Sequence, residues 1–488
     1  MSGDIMAFLP LIVPIIGAVA IYTISEENKR ARLALAYGVI LVNVFIVWSL
    51  FFSVYGGKNI SFRLVRLLPG LEVSFTLDPL GMVFAITAST LWIFAIAYAS
   101  GYLAKKKNQR QFYFWYILSM TPVLGVAFAG NLFTFYIFFE FLTFATYPLV
   151  IQEGTNEAHD SGKKYIFYCL SGGALILIAF LILHSVVPPV EFVTGGIVST
   201  VVVEKNVLIL VLILMIAGFG TKAAVLPLHS WLPGAMVAPV PVSALFHAVA
   251  VVKSGVFGVV RTGYFIFNPE LVEALDPNNL IPIFFSITII LASIIALKQN
   301  VLKLRLAYST ISQLGYITLG AFLFSSMGML GGVIHLVNHA FLKIILFFCA
   351  GIVMKETGAS KVDEMEGIGK RLPLTMTCFA IAGLGLIGIL PINGYISKLY
   401  ILQGSIEADK AVFALVILAS SLLNSFYYLP IMFNAFFRKG DYEKTEAREA
   451  PASMLVPIVI LALICLGLGL FAHKTTIPLV EQVVDQAF

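Results

Sequence analysis

The chain has 488 residues, 59% of them hydrophobic and only 12% charged, with a mean hydropathy of +0.96. Soluble domains are usually about a quarter charged, so an ordinary soluble protein is excluded. The net charge of +5 comes without a basic patch interleaved with aromatics, which argues against a nucleic-acid partner.

Apolar residues arrive in successive blocks of about 20, the length that carries a helix across a hydrocarbon core of about 30 Å. The pattern predicts an all-α polytopic membrane protein with about fourteen crossings. In chain order they are expected over 4–24, 33–54, 79–103, 111–130, 132–152, 164–186, 206–238, 240–265, 279–297, 306–326, 328–354, 373–405, 411–437 and 452–472. The first block follows Asp4 with no basic segment ahead of it, so it reads as an uncleaved span and not a signal peptide. Asp78, in Leu77-Asp78-Pro79-Leu80, reads as the cap of the third span.

Two blocks are too long for one straight crossing. The block 206–238 contains Pro227 and Pro233, and 373–405 contains Gly388-Ile389-Leu390-Pro391-Ile392-Asn393-Gly394, so both must break. Paired interrupted spans point to an inverted-repeat transporter with its site near the bilayer midplane. Backbone groups freed at such breaks need protein or water partners.

Loop by loop, Lys and Arg divide unevenly. One side collects twenty, among them Lys29, Arg30, Arg32, Lys105, Lys106, Lys107, Arg110, Lys303, Arg305 and Lys444, while the other holds Lys58, Arg63, Arg66, Lys205, Lys410 and Lys474. Cytoplasmic loops are the Lys/Arg-rich ones, so both termini are expected on the non-cytoplasmic side of a cell membrane. Arg261 falls near a helix end and is expected to snorkel. Lys222, Lys253, Lys343 and Lys398 remain inside apolar spans, with Glu140.

An ionisable group at mid-bilayer costs about 2.5–3.5 kcal/mol on insertion scales, so five of them point to function. Glu140 is the only charged residue between Asn131 and Gln152, which sends its partner to another helix. A Glu and a Lys about 6 Å apart at an effective dielectric near 20 attract by roughly 3 kcal/mol. Such a pair titrates as a unit, and neutralising one member releases the other's proton. His335, His339 and Lys343 recur at every fourth position, forming a titratable stripe suited to proton relay. A zinc site is the rival reading, but the segment lacks the Glu of HExxH and a third ligand. His247 and Lys253 lie about 120° apart on an ideal helix and share a cavity only if that helix is distorted.

Cys169, Cys349, Cys378 and Cys465 form no CxxC pair and read as core hydrophobes. Glu153, Glu157, His159 and Asp160 read as a solvated loop cluster or a neighbour's contact. No cofactor or metal is expected.

Across residues 75–435 the sequence resembles the antiporter-like subunits shared by Mrp-type cation/proton antiporters, respiratory complex I and membrane-bound hydrogenases. The resemblance rests on TKAAVLPLHSWLPGAMVAPVPVSALFHAVAVVKSGVFGVVR at 221–261, LAYSTISQLGY at 306–316 and HLVNHAFLKIILFFCAG at 335–351. It implies fourteen helices containing two inverted five-helix repeats: three helices over 1–103, a first repeat over 104–265, a second over 266–437 and a last helix over 438–488. It also implies that Glu140 and Lys222 are a paired switch, that Lys253 and His247 link the halves, that His335, His339 and Lys343 continue a central axis, and that Lys398 is the terminal proton site. The tenth span offers Ser309, Thr310, Ser312 and Gln313 but no carboxylate, so the Glu/Lys switch is expected in one half only. The Lys at 398 matches the lysine-bearing branch, and the short C-terminal region favours a D-type Mrp or hydrogenase-type subunit.

The function expected is proton translocation, with sodium exchange left open, by a subunit working with other membrane subunits in the lipid bilayer. The alternatives are a self-contained secondary transporter for a small solute and a structural subunit without transport. No Walker loop, dinucleotide fingerprint or nucleophile constellation appears, so any redox chemistry would belong to partners.

Overall fold

A computed structural model describes residues 2–106, 108–199, 202–440, 442 and 447–488. Lys107 and Lys444, counted above among the loop cations, lie outside the described residues. Twelve helices among the described residues are long and apolar enough to cross a membrane. Each coincides with an expected crossing.

The two remaining expected crossings do not meet that criterion, for physical reasons. The helix Leu302–Phe322 carries Lys303, Arg305 and a run of hydroxyl and amide side chains. The block 373–405 divides into Pro373–Ile387 and Gly394–Glu407, each too short to cross alone. The other long block also divides, but unequally. Its regular helix ends at Lys205–Lys222, and only a single turn, Trp231–Gly234, and a 3₁₀ turn, Ala235–Val237, follow. Pro227, Pro233, Pro239 and Pro241 in close succession allow no longer helix there.

Ser326–Thr357 is the central element. It runs for 32 residues, and every position of its most apolar stretch is buried by protein. A helix enclosed on all sides has no lipid-facing stripe, and its polar residues must find partners on its neighbours.

A two-stranded antiparallel hairpin, Ile60–Leu68 with Leu71–Leu77, joins the second and third crossings. Gly70 in its turn has φ +76°, a conformation open to glycine. This hairpin has a positioning role. Asn131 donates to the Glu72 carbonyl at 2.9 Å and to Ser74 Oγ at 2.7 Å, while its own Oδ1 accepts from Thr134 N at 2.7 Å. The helix Leu132–Val150, which carries Glu140, is thereby capped and tied to the hairpin at once.

The third crossing, Pro79–Tyr102, begins with the expected cap, since Asp78 Oδ1 accepts from Gly81 N at 2.7 Å. Asp78 also takes both terminal nitrogens of Arg261, one of them at 2.9 Å. Arg261 is therefore fully buried instead of snorkelling. Its guanidinium lies over the rings of Phe257 and Phe265, 4.9 and 4.5 Å from their centroids. A bidentate carboxylate and three aromatic faces, the third that of Phe192 at 5.2 Å, hold the cation better than a route to the surface would.

Candidate functional site

The helix Lys205–Lys222 ends in a Schellman motif. Val225 N donates to the Gly220 carbonyl at 2.9 Å and Ala224 N to that of Thr221 at 3.1 Å. Ala224 takes the left-handed conformation, φ +54°, which costs an L-residue roughly 1–2 kcal/mol. This end fixes Lys222 in the last helical turn. Its Nζ lies 3.8 Å from Glu140 Oε1, donates to the Phe139 carbonyl and sits 3.5 Å from the Phe139 ring centroid. Both Glu140 oxygens are buried without a hydrogen-bond partner among the described residues. At 3.8 Å and an effective dielectric near 20 the pair attracts by about 4 kcal/mol. Gly173 makes room for this carboxylate, since a Cβ there would overlap it.

The expected single span 240–265 is two helices, Val240–Ala248 and Val251–Arg261. The Leu245 carbonyl accepts from both Val249 and Ala250 at 3.0 Å, a one-residue bulge of the kind found at functional sites. This is the distortion that could have joined His247 to Lys253, but the two take different partners. Lys253 Nζ lies 2.9 Å from His339 Nδ1. The His247 ring packs 4.6 Å from that of Phe347, with both ring nitrogens unpartnered among the described residues.

On the central helix the stripe continues as its spacing predicts. The rings of His335 and His339 are 6.0 Å apart. His335 Nδ1 reaches Ser397 Oγ at 2.8 Å, and its ring stacks on Tyr316 at 5.3 Å. Lys343 Nζ donates to the Leu306 carbonyl at 3.0 Å, to Tyr428 OH at 3.1 Å and to Ser309 Oγ.

The second break repeats the helix ending of the first. Ile389 N donates to the Leu384 carbonyl at 3.0 Å around Gly388, whose φ is +101°. The last carbonyls of Pro373–Ile387 then face Lys398, whose Nζ donates to Leu386 and Ile387 at 2.7 and 3.0 Å and to Ser421 Oγ at 3.0 Å. A cation at a helix C-terminus is favoured by the aligned peptide dipoles. Lys398 Nζ is also 4.9 Å from the Tyr316 ring, so Tyr316 lies between Lys398 and His335.

The geometry thus gives a file of groups: Lys253, His339, His335, then Ser397 and Tyr316, then Lys398, with Lys343 on a side branch. Asn338 and Asn393 lock the file in place. Asn338 donates to the Asn393 carbonyl at 2.8 Å, and Asn393 donates to Asn338 Oδ1 at 2.9 Å. The polar bridging residues Tyr316, Asn338, Asn393, Ser397, Ser421 and Tyr428 were not singled out from sequence. Neutral polar side chains carry a weaker membrane-cost signal than charges do. Lys303, counted as a loop cation, is buried and donates to the Ala238 carbonyl at 2.9 Å and to that of Met236. Arg32 and Arg305, counted likewise, are also buried. All four cysteines are free and buried.

The family model described as NADH:quinone oxidoreductase/Mrp antiporter, TM, matches residues 129–424. The chain belongs to this family. A relative in this NADH:quinone oxidoreductase/Mrp antiporter family, NADH-quinone oxidoreductase subunit N of Desulforudis audaxviator, is 32% identical over 422 residues, 83% of each chain. Na(+)/H(+) antiporter subunit A1 of Staphylococcus haemolyticus is 29% identical over 97% of this chain, which spans 62% of that longer protein. The fold matches a chain in the Mrp complex of a Dietzia species, with TM-score 0.88, 21% identity, and 99% and 97% of the two chains covered. It also matches a chain of the membrane-bound sulfane sulfur reductase, an archaeal respiratory membrane complex, with TM-score 0.87, 23% identity, and 99% and 97% covered. The protein is a multi-pass, antiporter-like membrane subunit of this family.

Proposed function

We propose that this subunit translocates protons, with or without exchange for sodium, within a multisubunit membrane complex. Glu140 and Lys222 act as the switch, Lys253, His339 and His335 as the central axis, with Lys343 on a side branch and His247 packed beside it against Phe347, and Lys398 as the terminal site. The observation that carries this reading is the loose pair at the first break. Lys222 and Glu140 are 3.8 Å apart, and neither carboxylate oxygen has a hydrogen-bond partner among the described residues. A buried pair serving stability alone needs its remaining lone pairs satisfied. An under-satisfied pair is sensitive to any nearby change of charge, as a switch must be.

The reading includes fourteen crossings, with inverted repeats over 104–265 and 266–437 flanked by 1–103 and 438–488. Its support is the paired breaks, each closed by the same six-residue motif with a lysine beside it. The Lys/Arg bias supports both termini on the non-cytoplasmic side of a cell membrane. Relatives named as subunits of an oxidoreductase and of an antiporter support a host complex that supplies or uses the ion gradient.

The test places Glu140→Gln and Lys222→Ala separately into the assembled complex, reconstituted in vesicles with a pH-sensitive dye. Each is expected to lower proton translocation at least tenfold. Wild-type rates in both would overturn the switch.

A further inference from the structure

A cavity of about 470 Å³ lies away from the polar file, between the second, third and last crossings and the central helix. That volume falls within the range of about 300–1,000 Å³ typical of small-molecule sites. Its walls are apolar, with Trp48, Phe52, Ile464 and Leu468 on the outer crossings and Val337 and Phe341 on the central helix. Phe52 and Tyr55 are exposed, so the cavity opens at the outer face of the chain. Aromatic residues at a span's end mark the membrane boundary.

The lining also includes four threonines, Thr87, Thr90, Thr475 and Thr476. Thr475 and Thr476 lie at the start of the helix Thr476–Ala487. The Thr476 residue is only 3% exposed, and its hydroxyl has no hydrogen-bond partner among the described residues. The helix start has no side-chain cap, because Thr475 Oγ1 donates backward to the Phe471 carbonyl at 2.9 Å. Pro478 carries no N–H and Leu479 N donates to the Thr475 carbonyl at 3.4 Å, so the amides of Thr476 and Ile477 are the first-turn donors that favour an anion. Lys474, exposed, stands immediately before them.

We propose that this cavity binds the acyl chain of an anionic amphipath drawn from the membrane, with its acidic head at Thr476 and the helix start. Trp48, Ile464 and Leu468 pack along the chain, while the Thr476 hydroxyl and the amides of Thr476 and Ile477 donate to the head. The shared chemistry is one acyl chain ending in an acidic, hydrogen-bond-accepting group. An anionic phospholipid and a free fatty acid both supply it. Val337 and Phe341 place the occupant directly against the back of the helix that carries His335 and His339.

The test is a binding titration of the full chain by native mass spectrometry, independent of ion transport, using phosphatidylglycerol, palmitate and phosphatidylcholine. The acidic ligands are expected to bind at least tenfold more tightly than phosphatidylcholine. Binding of phosphatidylglycerol alone assigns the site to a phospholipid, and binding of palmitate as well extends it to fatty acids. Ile464→Trp, which fills the cavity, should weaken both at least tenfold. Thr476→Val should weaken them roughly three- to tenfold, as expected for one lost hydrogen bond. Leu468→Trp tests the same wall if Ile464→Trp fails to fold. Equal binding of phosphatidylcholine, or affinities unmoved by both the Thr476 variant and a folded wall variant, would overturn the proposal.

Discussion

Lys253 Nζ and His339 Nδ1 lie 2.9 Å apart, joining the helix Val251–Arg261 to the central helix 86 residues later in the chain. At that distance a neutral imidazole nitrogen can accept the proton that an ammonium donates. Lys253→Met and His339→Ala are each expected to lower proton translocation at least tenfold. The double variant should be no worse than the poorer single one, since residues acting as a unit are not additive. A double variant that multiplies the two losses would show independent roles.

The buried Asp78–Arg261 pair gives a stability prediction. Removing one partner leaves an uncompensated buried charge, which costs about 3–5 kcal/mol. Arg261→Ala or Asp78→Ala should therefore lower the thermal midpoint of the purified protein by several degrees. Asp78→Leu combined with Arg261→Met should recover much of the loss. A midpoint unchanged by either single substitution would contradict the pairing.

Gly255 sets the distance between the two helices that carry Lys222 and Lys253. A Cβ at Gly255 would overlap backbone atoms of Phe219, Lys222 and Ala223, whereas one at Gly467 would meet nothing within 4 Å. Gly255→Ala is expected to destabilise by about 1–3 kcal/mol and to lower transport by displacing Lys222. Gly467→Ala should leave both unchanged. Comparing melting curves and vesicle transport for the two variants checks this.

Lys398 satisfies two carbonyls at the end of Pro373–Ile387 and also donates to Ser421. Lys398→Ala strands those acceptors, at about 1–3 kcal/mol for each group left buried. Ser421→Ala removes a single neutral partner and should cost only about 0.5–1.5 kcal/mol. Chemical denaturation in detergent should rank Lys398→Ala well below Ser421→Ala. The reverse order would mean that the lysine does not close this helix.

Much of the frame was legible because the bilayer writes its cost into the sequence. Twelve crossings, the two breaks, the Asp78 cap and the His335/His339 stripe each rest on a local signal of length, proline position, capping or four-residue spacing. The hairpin over 60–77 was not expected, since its alternating residues sit between much stronger apolar blocks. Arg261 was expected at the surface because its partner, Asp78, lies 183 residues away.

The sequence by itself determined that Glu140 and four lysines lie within apolar spans of a membrane protein, because the apolar runs are long enough to cross a bilayer and a charge inside one is costly. It also determined that His335 and His339 share a helix face, because helical spacing is local. Only the tertiary structure decided that Lys253 meets His339 while His247 does not join it, and that Lys303 lies buried against the first break. Those contacts depend on a one-residue bulge after Leu245 and on glycine-thin helix crossings. Such features fix distances between helices, which no spacing within a single helix can encode.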